Sequence, residues 1–516
     1  MYRDYVEPAW SVPQILLVAL LLVPALGAIA VAMFPAARDR AARIVATGFA
    51  TVTLLLSVAL LFARPNEFGW FAYRSGDGLP MLLWAELDLP WVRSLGLEFH
   101  IGVDGVSYPL VVLTGLLTVL CCAYTVKKVP AGGSGRALAA LLLTLELGVL
   151  GTFLAFDLIL FFLFFEVVLL PMYAVIAGWG GANRRAAARK FVLYTLAGSV
   201  LLLLGVMIVV TKAGTGDLVT LTGASELTRT TQCVVFALLA VAFAVKAPLW
   251  PLHTWLPDAH TEAPTVGSVI LAGVLLKMGT YGLIRVGVGV APDGAAWAAP
   301  VLGILATVAI IAGALICLRQ TELKRLIAYS SVGHMGFVLL GIATLSVTGI
   351  QAALVGNIAH GLITGLLFFL VGAIKDSAGT GSLNQLSGLR ETAPRLAGLL
   401  GFAAIASLGL PGLAGFWGEA FAVVAAVQRG GPLWLTLAVV AAIGGALTAA
   451  YFLRLLRRVT HGPATPEAHT LPPVLSGVEW LAWAPLVLLT LAVGVAPALV
   501  LGDTVQPLIT LLGVQP

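Results

Sequence analysis

Charge is what this chain has least of. Only 10% of its 516 residues are Asp, Glu, Lys or Arg, against 60% hydrophobic. A soluble protein of that length needs a far more polar surface, which excludes a soluble enzyme or binding domain and leaves a polytopic membrane protein. Cysteine is scarce as well. Cys121, Cys122, Cys233 and Cys317 lie in apolar runs with no C-x-x-C pair, so they read as small buried hydrophobes rather than a disulfide or metal framework. No glycine-rich phosphate loop and no dinucleotide fingerprint occurs. The net charge of +5 comes from short basic loops, which gives nucleic acid no support as a partner. The first apolar run follows Arg3, Asp4 and Glu7 rather than a basic start, so a retained helix is expected there, not a cleaved leader.

What the chain has is apolar length. About 20 mostly apolar residues cross a bilayer. Fourteen segments qualify: 12–34, 41–63, 105–126, 137–155, 157–179, 190–211, 232–256, 264–287, 297–318, 324–343, 350–372, 397–428, 433–456 and 479–502. The fold class is therefore all-α. If the loop with Arg38, Arg40 and Arg43 is cytoplasmic, the loops on its side hold 19 Lys and Arg and the opposite side 8. That asymmetry orients the chain with both termini outward. The 64–104 loop then also lies outside, and its alternating stretch from Leu95 to Ile101 predicts a short hairpin.

Six ionisable side chains fall near the middle of these segments: Glu166, Lys246, Lys277, His334, His360 and Glu419. A charge at the bilayer centre costs roughly 2.5–3.5 kcal/mol on insertion scales. Six of them, on six helices and of both signs, are explained if they face one another, and a line of titratable groups is what proton or cation movement requires. Glu166 sits in an aromatic run, Phe161 to Phe165, and calls for a cation partner, for which Lys246 is the candidate. A static pair that docks two helices is the plainer reading, but such pairs are seldom better than apolar ones. Lys277 has no carboxylate in its own segment, and His334 and His360 are central in adjacent segments. Histidine titrates near neutrality and both accepts and donates, although a lone central histidine is often only a helix–helix hydrogen bond. Glu146 is a seventh group, for which an inter-helix hydrogen bond is an equal alternative. His253, Asp258, His260 and Glu262 cluster at one helix end, as an entrance funnel or as ordinary solvated surface; a metal site there has little support.

The features repeat. Pro248 and Pro251 interrupt the segment carrying Lys246, and Leu410-Pro411-Gly412 interrupts the one carrying Glu419. The division expected is 1–136 for three helices and the outer loop, 137–287 and 297–456 for two five-helix blocks, and 457–516 for the last helix. Five is odd, so the blocks would enter from opposite faces, as in transporters built from inverted repeats with broken helices at the working site.

At these residues the sequence resembles a known family. Phe164-Phe165-Glu166 through Pro171-Met172-Tyr173, Ala244-Val245-Lys246 through His253, Asp258, His260 and Pro264, Leu275-Leu276-Lys277, Lys324-Arg325 through Tyr329 and His334-Met335-Gly336, and Ile358-Ala359-His360-Gly361 are similar to motifs of the antiporter-like, proton-translocating subunits of respiratory complex I. Glu419 points to the branch of that family with glutamate rather than lysine in the twelfth helix. The resemblance implies proton translocation through Glu166, Lys246, Lys277, His334, His360 and Glu419, coupled to NADH oxidation and quinone reduction elsewhere. It also implies that flavin, iron–sulfur clusters and quinone are held by partner subunits and none by this chain. The partners implied are lipid and the other membrane-arm subunits, with the two homologous antiporter-like subunits on either side, in a bacterial inner membrane. A subunit of a multi-subunit cation/proton antiporter and the membrane subunit of a proton-pumping hydrogenase are the alternatives. A structural scaffold and a solute transporter have less support.

Overall fold

The computed structural model describes residues 10–63, 83–92, 97–222, 227–502 and 504–513. The apolar runs become helices: α1 (Val12–Met33), α2 (Asp39–Phe62), α3 (Tyr108–Lys127), α4 (Gly135–Leu154), α5 (Leu158–Val167), α6 (Leu169–Trp179), α7 (Arg184–Ala213), the short α8 (Leu218–Leu221), α9 (Arg229–Lys246), α10 (Trp255–Glu262), α11 (Thr265–Ile270) and α12 (Leu276–Gly282). Then come α13 (Pro292–Arg319), α14 (Leu323–Ala343), α15 (Val347–Ala378), α16 (Leu389–Thr392), α17 (Pro394–Ala406), α18 (Ala414–Arg429), α19 (Gly431–Thr460), α20 (Pro466–His469), α21 (Gly477–Val495), α22 (Ala498–Leu501) and α23 (Val505–Leu512). Among the described residues, thirteen helices are long and apolar enough to cross a membrane.

The fourteenth expected crossing, 397–428, is divided between α17 and α18. The break is local chemistry: Pro411 has no N–H to donate, and Gly409 and Gly412 take φ of +69° and +89°, a region side chains avoid. The other interruption also lies where the prolines stand. α9 stops at Lys246, and α10 resumes at Trp255. The expected division between 137–155 and 157–179 falls at Ala155–Asp157, where Asp157 caps α5 by accepting from the Ile159 and Leu160 N–H groups at 2.9 Å.

The interior is built around two crossings. Residues 265–288 form one continuous helix of α11, α12 and two π-helical stretches (Leu271–Leu275 and Leu283–Val288), buried on all sides. α15 is nearly as enclosed. α1, α2, α7 and α19 instead leave apolar faces outward, with Leu26, Leu55, Leu193 and Val439 exposed as a lipid-facing surface requires. All four cysteines are free, and three are buried.

The expected hairpin is present as β1 (Ala85–Val92) paired antiparallel with β2 (Leu97–Val103), from Ala85↔Val103 to Val92↔Leu97. Leu95 lies outside the described residues. Two polar anchors fix the hairpin to the bundle. Arg285 donates to Asp104, both fully buried, with the guanidinium 5.1 Å from the Phe156 ring centre. Removing one partner of such a pair costs about 3–5 kcal/mol because a charge is left buried alone. His100 is the second anchor, its Nδ1 2.8 Å from Asp217 and its Nε2 2.9 Å from Glu86.

Burial alone would lower the pKa of His100, but the hydrogen bonds to Asp217 and Glu86 outweigh it and raise the value to about 9. The imidazolium bridge is therefore complete below pH 6.5 and is lost as pH rises through about 9. Asp88, Glu98 and Asp157 border the same cluster and add to its negative field. Hydrogen exchange of the hairpin amides in the assembled complex, corrected for intrinsic rates, is expected to rise between pH 7 and pH 10. In His100→Gln that pH dependence disappears; an unchanged profile in this variant would assign the effect to another group.

Candidate functional site

The six intramembrane groups fall into two sets. Lys246 ends α9 because the chain cannot continue past Pro248: Ala247 N–H still reaches the Phe243 carbonyl at 2.7 Å, and Pro248 has no N–H to follow it. A cation suits that C-terminal turn, where the helix carbonyls point outward. The Trp255 indole takes up one freed carbonyl, that of Val245, at 2.9 Å. Glu166 lies on the last turn of α5, beside the bend at Val168. Its carboxylate accepts from the Ser199 hydroxyl of α7.

Glu166 and Lys246 were expected as a couple, and here they are not in ion-pair contact. Lys246 Nζ instead sits 4.7 Å from the Phe165 ring centre, a cation–π distance, while Glu166 remains the charge acting on it through space. Phe165 precedes Glu166 in the same helix, so movement of α5 shifts both partners of Lys246 together.

The second set forms a line joined by hydrogen bonds at its two ends. Lys277 Nζ donates to the Ala272 carbonyl and to His360 Nδ1, each at 2.6 Å. That carbonyl lies in the first π-helical stretch, whose wider turn leaves carbonyls without their ordinary partners. The His360 and His334 rings stand 5.9 Å apart. His334 Nδ1 is 2.6 Å from Glu419 Oε1. Lys277, His360, His334 and Glu419 thus run in line across α12, α15, α14 and α18.

Glycine makes the approaches close enough. A Cβ on Gly418 would stand 2.5 Å from Gly356 Cα, so α18 and α15 touch backbone to backbone beside Glu419. A Cβ on Gly279 would stand 2.7 Å from the Ala247 nitrogen, which brings α12 against the end of α9. Although Glu419 stands near the backbone break at Pro411-Gly412, its hydrogen-bonded partner is His334.

The histidines near the first break are not solvated surface. His260 is fully buried, stacked on Phe368 at 4.4 Å, and His253 is 6% exposed beside Tyr329. Both ring nitrogens of His260 lack a hydrogen-bond partner among the described residues. α10 folds back into the bundle, and His260 lies within the electrostatic reach of Lys277 and Lys324. Lys324, also buried, donates to the Ala263 carbonyl at 2.9 Å and lines a hollow of about 580 Å³ with Lys127, Glu262, Lys375 and Asp376. Sequence patterning passed over Lys324 because it stands at a helix start, where lysine is ordinarily solvated. The acidic pair of that cluster does lie near the surface: Asp258 meets Lys190 at 2.7 Å and Arg325 at 3.3 Å, and Glu262 accepts from the Asn183 N–H. Glu146 is 1% exposed on α4, and neither carboxylate oxygen has a hydrogen-bond partner among the described residues.

Chemically, these groups take up and release protons. At the two hydrogen-bonded ends, Lys277–His360 and His334–Glu419, a donor meets a titratable acceptor.

Residues 155–444 match the family described as NADH:quinone oxidoreductase/Mrp antiporter, TM. The chain is 40% identical to NADH-quinone oxidoreductase subunit M of Rhodobacter capsulatus, covering 90% of this chain and 89% of that one. It is 36% identical to NAD(P)H-quinone oxidoreductase chain 4 of a Nostoc species, over 94% of this chain and 88% of the relative. Among solved structures, a chain of respiratory complex I from Thermus thermophilus superposes with a TM-score of 0.82 at 29% identity, covering 96% of this chain and 99% of that one. A chain of the Mrp complex from Dietzia superposes with a TM-score of 0.84 at 24% identity, over 98% of each, and shares the fold.

Proposed function

The chain belongs to the NADH:quinone oxidoreductase/Mrp antiporter family of transmembrane subunits, on the branch of subunit M and chain 4, and we propose from that premise how it moves protons. It is the antiporter-like, proton-translocating membrane subunit of an NADH–quinone oxidoreductase. The observation that carries the mechanism is the line Lys277–His360–His334–Glu419, with 2.6 Å contacts at both ends. A proton enters from the basic face by way of Glu166 and Lys246, passes along Lys277, His360 and His334, and leaves from Glu419 towards the outer face.

The two blocks, 137–287 and 297–456, act as half-channels of opposite orientation. A recurrent backbone detail supports this. Asp157 bridges to Asp217, and Glu322 bridges to Ser382, each a capping residue joined to a loop 60 positions later. Five crossings separate Asp157 from Glu322, so the bridges lie on opposite faces. Both termini face outward, and the basic loops face the cytoplasm of a bacterial cell. Redox chemistry belongs to partner subunits that hold flavin, iron–sulfur clusters and quinone. The neighbours are the other membrane-arm subunits, with a homologous antiporter-like subunit on each side. The antiporter alternative has the shared fold and a family that spans both kinds of subunit, whereas the full-length sequence relatives cited above are quinone oxidoreductase subunits, which favours the first reading.

The input couple works through distance. At an effective dielectric of about 20, unit charges 4 Å apart interact by roughly 4 kcal/mol. The position of the Glu166 carboxylate therefore sets how firmly Lys246 holds its proton. Glu166→Gln and Lys246→Ala are each expected to reduce proton flux in reconstituted vesicles and, because the reactions are coupled, quinone reductase activity with it. A fully assembled Glu166→Gln complex that pumps at the normal rate would sink this proposal.

A further inference from the structure

The line of contacts has one gap. Lys277 reaches His360 at Nδ1, and Glu419 reaches His334 at Nδ1. The two rings do not hydrogen-bond each other; their planes cross at 63°. His360 Nε2 and His334 Nε2 are both buried without a hydrogen-bond partner among the described residues. An imidazole that receives a proton on one nitrogen releases it from the other. The gap thus falls between the two nitrogens that must exchange the proton.

Both rings line one cavity of about 30 Å³, together with Glu419, Thr364 and Ser407. A polar cavity larger than about 10–15 Å³ on this measure holds one water if two to four partners surround it. Thr364 differs from its neighbours in a telling way. The buried helical threonines Thr114, Thr118, Thr152, Thr307, Thr448 and Thr490 each donate to the carbonyl four residues earlier. The Thr364 hydroxyl, 2% exposed, makes no hydrogen bond to a described residue. Ser407 does donate to its own helix, at Ala403, and offers the cavity only its lone pairs.

We infer that Thr364 is a positioning residue: its hydroxyl holds the water that carries the proton from His360 Nε2 to His334 Nε2. This rests on the relay proposed above. The water takes a proton from His360 Nε2–H and gives another to His334 Nε2, so it is regenerated and no electrons move. Each ring ends as the opposite tautomer, and exchange of the ring proton between its two nitrogens restores it before the next proton arrives.

Thr364→Val keeps the shape and removes the hydroxyl, whereas Thr364→Ser keeps the hydroxyl. In reconstituted vesicles with matched amounts of assembled complex, Thr364→Val is expected to lower proton flux about tenfold, the factor of one lost hydrogen bond. Quinone reductase activity falls in parallel, the solvent deuterium isotope effect increases, and Thr364→Ser recovers most of the flux. Normal flux in Thr364→Val, or equal loss in both variants, would overturn the inference. Lys277→Met in the same vesicles separates the two levels. If it is inactive while Thr364→Val pumps normally, only the water bridge fails; if both pump normally, the relay itself fails.

Discussion

Proton flux through the assembled complex is expected to fall by at least about tenfold when Lys277 is replaced by methionine, a rise of about 1.4 kcal/mol in the limiting barrier. Methionine fills a comparable volume and leaves the fully buried helix packed, so the change removes a proton carrier rather than a structural member. The ammonium joins the Ala272 carbonyl of the first π-helical stretch to His360 Nδ1, through two contacts of 2.6 Å. Without it His360 loses the donor on its Nδ1 side, and the line is cut at its start. Loss of a buried charge also relieves a desolvation cost, so thermal stability is expected to be unchanged or higher in the same variant. Fluorescence quenching in vesicles and the quantity of assembled complex, measured together, test both halves. Normal pumping in assembled Lys277→Met would require a route that bypasses α12.

Glu419→Gln is expected to impair pumping as severely, and Glu419→Asp to retain part of it. Glutamine preserves a hydrogen bond to His334 but carries no exchangeable charge. Aspartate keeps the titratable group on a shorter arm, and the 2.6 Å contact to His334 Nδ1 lengthens. The second oxygen of Glu419 lies towards Gly409, at the break between α17 and α18. In the relay proposed above, a carboxylate in that position alternates between taking a proton from His334 and losing it to outer water. The comparison that decides is flux at matched levels of complex. Equal flux in the natural protein and Glu419→Gln would remove Glu419 as an obligatory exit group.

Two expectations changed when the helices were packed, and both concern partners. Glu166 and Lys246 read as each other's partners, yet the nearest group to the carboxylate is Ser199 and to the ammonium the Phe165 ring. A charge in an apolar run announces that it needs a partner; it does not say which of several polar atoms on neighbouring helices will stand nearest. His260 read as one member of a polar loop cluster, yet it stacks on Phe368 with no solvent contact. Its burial follows from the path of α10 after the break, and the prolines at 257 and 264 mark ends of helix without giving direction.

Crossing number, helix breaks and the six intramembrane groups were legible because each is a local property. Apolar length either suffices to span a bilayer or does not, and proline removes its N–H wherever it stands. The sequence by itself therefore determined an all-helical membrane protein with interruptions beside Lys246 and Glu419. Only the tertiary structure decided that Lys277 meets His360 and that Glu419 meets His334, across 83 and 85 residues of chain. Those meetings depend on how closely α12, α14, α15 and α18 approach, and Gly356 and Gly418 permit that approach by having no side chain to separate the backbones. A glycine's place in the sequence is visible at once, but the neighbour it admits is set by the packing of the whole bundle.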